Sequence, residues 1–513
     1  MQDMCGAIKH IVIVGGGTAG WIPAGVLADS HSDRSPAGLR ISLIESPDIP
    51  TIGVGEGTWP TIRNTLARIG ISEAEFLHTC NASFKQGSRF NRWVNGEAGD
   101  SYVHPFELPI SSDGADALNA WKALAPDKPF AEAVCVQSAP GQEGLAPRQR
   151  TMPDYNGAMN YAYHLDAGKL VELLRNHAVS KLGVERITDN VVEIVGAQDS
   201  DIEAVRCEAR GLIAGDLFID CTGRQSLLLG GHYDVGFVDK SNILFNNRAV
   251  VTHVPVAADS TIASETVSTA HEAGWIWDIG LPTRRGVGCV YASDYMDDER
   301  AEATLRAYLG DAEHTPPRRI SFKSGHREIF WHQNCVAVGL SAGFLEPLEA
   351  SAIVLLELSA AMIADNMPVS RAAMSVEARK FNQLFLYRWG RIIDFLKLHY
   401  VLSQRDEPYW QDNRRAESIP ERLQDYLEVW KTRPPNTYDF EQAREVFPVA
   451  SYLFVTYGMG MTPATHPTLD ARAANALKDD MQKMLKKRRK FTEALPTNRA
   501  LLTGSGASLK LAI

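Results

Sequence analysis

The six residues Gly15-Gly16-Gly17-Thr18-Ala19-Gly20 have the GxGxxG spacing that brings a backbone close to a pyrophosphate. Gly15 allows the tight turn, Gly17 leaves room for phosphate, and Gly20 lets the following helix pack closely. That helix also offers unpaired N–H groups to negative charge. Glu45 can accept hydrogen bonds from an adenosine ribose, and the distant run Phe218-Ile219-Asp220-Cys221-Thr222-Gly223 favours FAD over NAD as the dinucleotide. Three further groups have reactive side chains. Lys85 lies in Ser83-Phe84-Lys85-Gln86-Gly87, whose neighbours predict partial burial; desolvation lowers a lysine from about 10.4 and exposes a nucleophilic amine. Glu346 and Glu349 sit three residues apart, either as bases or as carboxylates favouring a helix N-terminus. Trp275 and Trp277, two apart, share one face of a strand.

These residues need a scaffold. Lys9–Val14 reads as a buried parallel strand, residues 19 to 30 as a helix, and Leu39–Glu45 as the next strand, which completes a βαβ unit. Residues 160 to 180 read as a helix with Leu165, Leu170, Leu173 and Leu174 on one stripe. Strands are expected over 183 to 223, an antiparallel sheet over 240 to 330, and helices over 371 to 400, 419 to 432 and 469 to 491. The expected fold class is therefore α/β, an FAD-binding Rossmann-like unit with an antiparallel substrate-side sheet and a mostly helical C-terminal region. The boundary is placed near 370, dividing 1–370 from 371–513. The last dozen residues are expected to be loosely anchored.

The 513 residues carry 62 acidic and 52 basic side chains, and the net charge of -10 opposes a nucleic-acid partner. The basic run Lys483, Lys486, Lys487, Arg488, Arg489 and Lys490 reads as a solvated helix face. Seven cysteines (5, 80, 135, 207, 221, 289 and 335) form no CxxC pair, so neither a disulfide framework nor a metal site is expected. With no secretory signal and no apolar run of membrane-spanning length, the sequence suggests a cytoplasmic protein.

Four segments resemble the flavin-dependent tryptophan halogenases, along nearly the whole chain. They are Gly15–Trp21; Gly53-Val54-Gly55-Glu56-Gly57-Thr58 with Lys85 downstream; Gly274-Trp275-Ile276-Trp277-Asp278-Ile279; and Asn334–Leu340 continuing through Gly343–Glu349. The resemblance implies FAD, used as FADH2 from a separate reductase, with O2 and bromide or chloride as co-substrates. Hypohalous acid made at the flavin would travel to a separate pocket holding a small aromatic substrate. It further implies Lys85 and Glu349 as the catalytic pair, Trp275 and Trp277 as the wall between flavin and substrate, and His104 and Phe106 as rings that stack on the substrate. Cofactor contacts are expected from Gly15, Gly17, Thr18, Ala19, Gly20, Glu45, Glu56, Gly57, Val192, Asp220, Gly223, Leu340 and Ile353. Halide is expected on the backbone at Ser351 and Ala352. This chain has Ala350-Ser351-Ala352 where Ser-Thr-Gly is usual, a change that suggests bromide preference. Gly280 replaces a proline, and Tyr452 stands where a tryptophan would contact the substrate, which disfavours free tryptophan against other indoles. A homodimer is expected. The competing readings are an aromatic flavin monooxygenase and a non-catalytic, redox-responsive FAD-binding protein.

Overall fold

The protein is described by a computed structural model covering residues 8–31, 38–49, 55–111, 113–442, 444–464 and 471–504. Cys5, Gly53, Val54 and residues 505–513 lie outside the described residues.

His10–Val14 is a β-branched run buried on both faces, which suits the middle of a parallel sheet. It lies between Arg40–Glu45 and Leu217–Asp220, parallel to both. Glu185–Thr188 extends one side and Cys335–Ala337 the other, with Trp331–His332 antiparallel at the edge. The helix Thr18–His31 crosses between the first two strands and packs on Ser351–Asp365 and Ala167–Lys181. Pro23 inside it has no N–H to give the Ala19 carbonyl, and the Cys221 thiol donates to that oxygen instead at 3.1 Å.

A seven-stranded sheet forms the second layer, ordered Arg318–Ser321, Arg248–Pro255, Arg284–Tyr291, Gly274–Gly280, Thr266–His271, Gly87–Asn91 and Ser101–Pro105. It is antiparallel except where Thr266–His271 meets Gly87–Asn91. The sheet therefore recruits two strands from the region before 160, which puts His104 on its edge strand, with two strands between it and Gly274–Gly280, while Lys85 lies on Ser83–Lys85 just ahead of Gly87–Asn91.

The expected helix over 160 to 180 is corrected at its start. Ala162–Asp166 is a strand, antiparallel to both Gly55–Gly57 and Ser83–Lys85, and Leu165 is buried there. Asp166 then caps the helix Ala167–Lys181 by accepting from the Lys169 N–H, so the leucine stripe begins at Leu170. The later helices include Arg371–Val401, Glu421–Trp430, Val449–Gly458 and Ala471–Ala494. One hydrophobic cluster runs from Ile11 to Met459, and the end of Arg371–Val401 is buried from Arg391 to Tyr400. On Ala471–Ala494, Arg488 departs from the solvated face by donating to the Glu132 and Cys135 carbonyls. No helix among the described residues is long and apolar enough to cross a membrane.

Candidate active site

A cavity of about 1270 Å³ opens at the C-terminal ends of the parallel strands, where ligands of open α/β sheets bind. Gly15 turns the chain at φ +118°, and a Cβ there would lie 2.1 Å from the Cys221 carbonyl oxygen. A Cβ on Gly17 would meet nothing within 4 Å, so this turn keeps a free approach for a phosphate. Glu45 ends its strand nearly buried, held by Arg186 and by the Trp21 indole N–H at 3.3 Å. Thr18, Ala19, Glu56, Gly57, Gly223, Leu340 and Ile353 also line the cavity. An open approach at Gly17, a helix N-terminus beside it and an acid at the far strand end fit a dinucleotide with an adenosine half.

Three expected cofactor contacts are placed elsewhere. Gly20 packs the helix onto Gly15, where a Cβ would lie 1.9 Å from the Gly15 oxygen. Asp220 is wholly buried and accepts from the N–H groups of Thr222, Leu228 and Leu229, so it shapes the turn that presents Cys221 to Gln225. Val192 is 58% exposed and Val191 lines the cavity instead, because alternate residues of the strand Val191–Val195 face opposite ways.

Lys85 and Glu349 line this same cavity, with exposures of 1% and 5%. Burial pushes the Lys85 amine down to about 8 against the opposing pull of Glu349. For Glu349, burial raises the carboxyl, but the charge and hydrogen bond of His104, with the charge of Lys85 behind them, outweigh it and hold the group below its usual value. Its Oε1 accepts from His104 Nδ1 at 2.7 Å, and Ser88 Oγ lies 3.4 Å from Oε2. Glu349 and Ala350 are both left-handed, with φ of 62° and 53°, at about 1–3 kcal/mol each. The Trp59 indole N–H pins the Glu349 carbonyl at 2.7 Å and helps hold that turn.

The next helix, Ser351–Asp365, begins without a side-chain cap, and Ser351 and Ala352 line the cavity. Its first N–H groups therefore remain available to an anion there. Trp275 and Trp277 line the same cavity with ring centroids 6.2 Å apart. Gly288 on the adjoining strand makes room for Trp277, since its Cβ would lie 2.2 Å from that ring. Trp275 also donates to Glu346 Oε2 at 3.0 Å, which occupies the first glutamate of the pair behind the indole.

Neither expected stacking residue lines the cavity. Phe106 is partly buried, and the Lys85 amine lies 5.4 Å from its ring centroid. His104 is buried between Glu349 and Ser451 and does not line the cavity, so its placement is that of a carboxylate support. Tyr452 is enclosed by Phe395, Trp430 and Phe440, away from the cavity wall. The residue that spacing could not reveal is His399, whose Nε2 lies 3.5 Å from Glu349 Oε1.

A dinucleotide cleft bordered by indoles, with an amine and a carboxylate on its wall, belongs to the flavin-dependent oxidoreductases. Residues 10–475 match the tryptophan halogenase family. A 7-chloro-L-tryptophan 6-halogenase of Kutzneria sp. (strain 744) is 35% identical over 482 residues, 89% of this chain and 92% of that protein. A tryptophan halogenase structure from Shewanella frigidimarina NCIMB 400 is 45% identical, covers 98% of both chains and has a TM-score of 0.93. A flavin-dependent halogenase from Xanthomonas campestris follows with 32% identity, 97% and 98% coverage and a TM-score of 0.86. The chain belongs to the tryptophan halogenase family.

Proposed function

We propose that this enzyme halogenates an electron-rich aromatic ring, an indole or pyrrole other than free tryptophan, with Lys85 and Glu349 as its acting pair. The observation that carries the reading is their burial together on one cavity wall beside Trp275 and Trp277, with mutual electrostatic influence. Reduced FAD, when bound, supplies with O2 the two-electron oxidation that turns halide into hypohalous acid. Gly17 and the backbone at Thr18 and Ala19 would hold its pyrophosphate, and Glu45 its ribose. The Lys85 amine binds hypohalous acid and directs its halogen to the ring. Glu349 stabilises the cationic ring intermediate and accepts its proton. The substrate reading draws support from Tyr452, which is enclosed in the core and cannot clamp an amino-acid backbone.

The first turn of Ser351–Asp365 is the proposed halide site, and the methyl group of Ala352 favours bromide. A separate reductase delivers the reduced flavin. The test incubates the protein with FAD, a flavin reductase, NADH and bromide or chloride over a panel of indoles and pyrroles, read by mass spectrometry. Halogenated indole, lost in both Lys85→Ala and Glu349→Gln with FAD binding intact, is the expected result. Hydroxylated product without halide would overturn the reading, and chiefly chlorinated product at equal halide concentrations would overturn the preference for bromide.

A further inference from the structure

The two oxygens of Glu349 have unequal surroundings. Oε1 accepts from His104 Nδ1 at 2.7 Å and faces His399 Nε2 at 3.5 Å, while Oε2 has Ser88 Oγ alone at 3.4 Å. The titratable groups facing this carboxylate are Lys85, His104 and His399, each from a different element, with Tyr102 behind His399.

The His399 ring is fully enclosed, stacked on Phe90 at 4.7 Å and edge-on to Trp93 and Phe395. Burial pushes its pKa down to about 3, with Glu349 opposing, so the ring is neutral and carries one proton. Tyr102 Oη lies 2.6 Å from Nδ1, and burial holds that phenol well above its usual value. The phenol is therefore the donor and Nδ1 the acceptor, which puts the ring proton on Nε2. That N–H makes no hydrogen bond, although it is buried and Nε2 lies 3.5 Å from Glu349 Oε1. A ring kept for packing alone has no reason to bear an orphaned donor.

We propose that His399 is a positioning residue for Glu349: Tyr102 fixes its tautomer, and its Nε2 proton together with His104 reserves Oε1, so that Oε2 receives the substrate's proton. In that step the C–H bond at the halogenated carbon breaks, its electron pair restores the aromatic ring, and the proton bonds to Oε2. The inference rests on the reading of Glu349 as the base.

Two measurements test it. In the full chain labelled with 15N-histidine, assigned with His399→Gln, the His399 signals should show the Nε2–H tautomer unchanged across neutral pH. Tyr102→Phe should convert them to a mixture of tautomers. In turnover with ring-deuterated indole, wild type should show no primary isotope effect. His399→Phe, which lacks the donor, should show one, with kcat lowered about tenfold or more and KM unchanged. His399→Gln, which restores an N–H near the position of Nε2, should suppress the isotope effect. An Nδ1–H tautomer in wild type, or identical isotope effects in the Phe and Gln variants, overturns the proposal. If His399→Phe does not fold, the tautomer of wild type and its response to Tyr102→Phe still decide. Retained halogenation in Glu349→Gln would instead defeat the reading of Glu349, whatever the tautomer.

Discussion

Gly17→Ala adds a methyl group where no protein atom lies within 4 Å, at a turn that borders the cavity. Its backbone is outside the left-handed region, so alanine introduces no strain, and a stiffer unfolded chain favours the fold by about 0.4–1 kcal/mol. Gly15→Ala, two residues earlier, meets the opposite conditions. Its φ is +118° and its Cβ would lie 2.1 Å from the Cys221 oxygen, so strain and overpacking together cost about 3 kcal/mol or more. Thermal melts of the FAD-free proteins should therefore leave Gly17→Ala within about 1 °C of wild type and lower Gly15→Ala by several degrees. Titration with FAD should give the reverse ranking among folded proteins. Losing one backbone hydrogen bond to a phosphate removes about 1.5–3 kcal/mol, a weakening of tenfold or more in Gly17→Ala. Wild-type FAD affinity in Gly17→Ala, or a melting loss equal to that of Gly15→Ala, would refute the assignment of separate tasks to the two glycines.

Gly288→Ala should lower the melting temperature, by about 1–3 kcal/mol of overpacking against Trp277, and reduce the halogenated product formed per flavin oxidised. Unchanged stability and coupling would show that the indole is not seated there. Because burial brings Lys85 down to about 8 and its amine form acts, initial rates with saturating reduced flavin should climb as pH rises through about 8 and then level. A profile that falls over that range points to the ammonium form. Tyr452→Phe should leave the KM for the aromatic substrate unchanged, since Tyr452 sits in the core, and a several-fold rise in KM would return it to the binding site.

The βαβ unit was legible because one short β-branched run, three glycines and a terminal acid all report locally on the same geometry. That Lys85, Glu349 and the tryptophans share one site was implied by the resemblance of their segments to the tryptophan halogenases, and no spacing within any one segment required it; all four line the cavity. Leu165 misled because an apolar residue at that point satisfies both a helical stripe and a strand, and only pairing with Gly55–Gly57 and Ser83–Lys85 decides between them. Val192 missed the cavity by one residue, the smallest register error a strand allows, and Asp220 was drawn inward by three N–H groups from the turn it ends in. His399 and Tyr102 are 297 residues apart, and no pattern within either segment announces their 2.6 Å contact.

The two indoles hang from a strand bonded along both edges, to Thr266–His271 and to Arg284–Tyr291. A one-residue slip of Gly274–Gly280 against both neighbours would turn both rings to the opposite side at once, so their register cannot be adjusted gradually. Phe106, by contrast, follows the end of Ser101–Pro105, where a changed loop leaves the sheet's pairing intact. Diversification of this scaffold toward new acceptor molecules should therefore accumulate on the loop and helix side, with the tryptophan strand passed on unaltered.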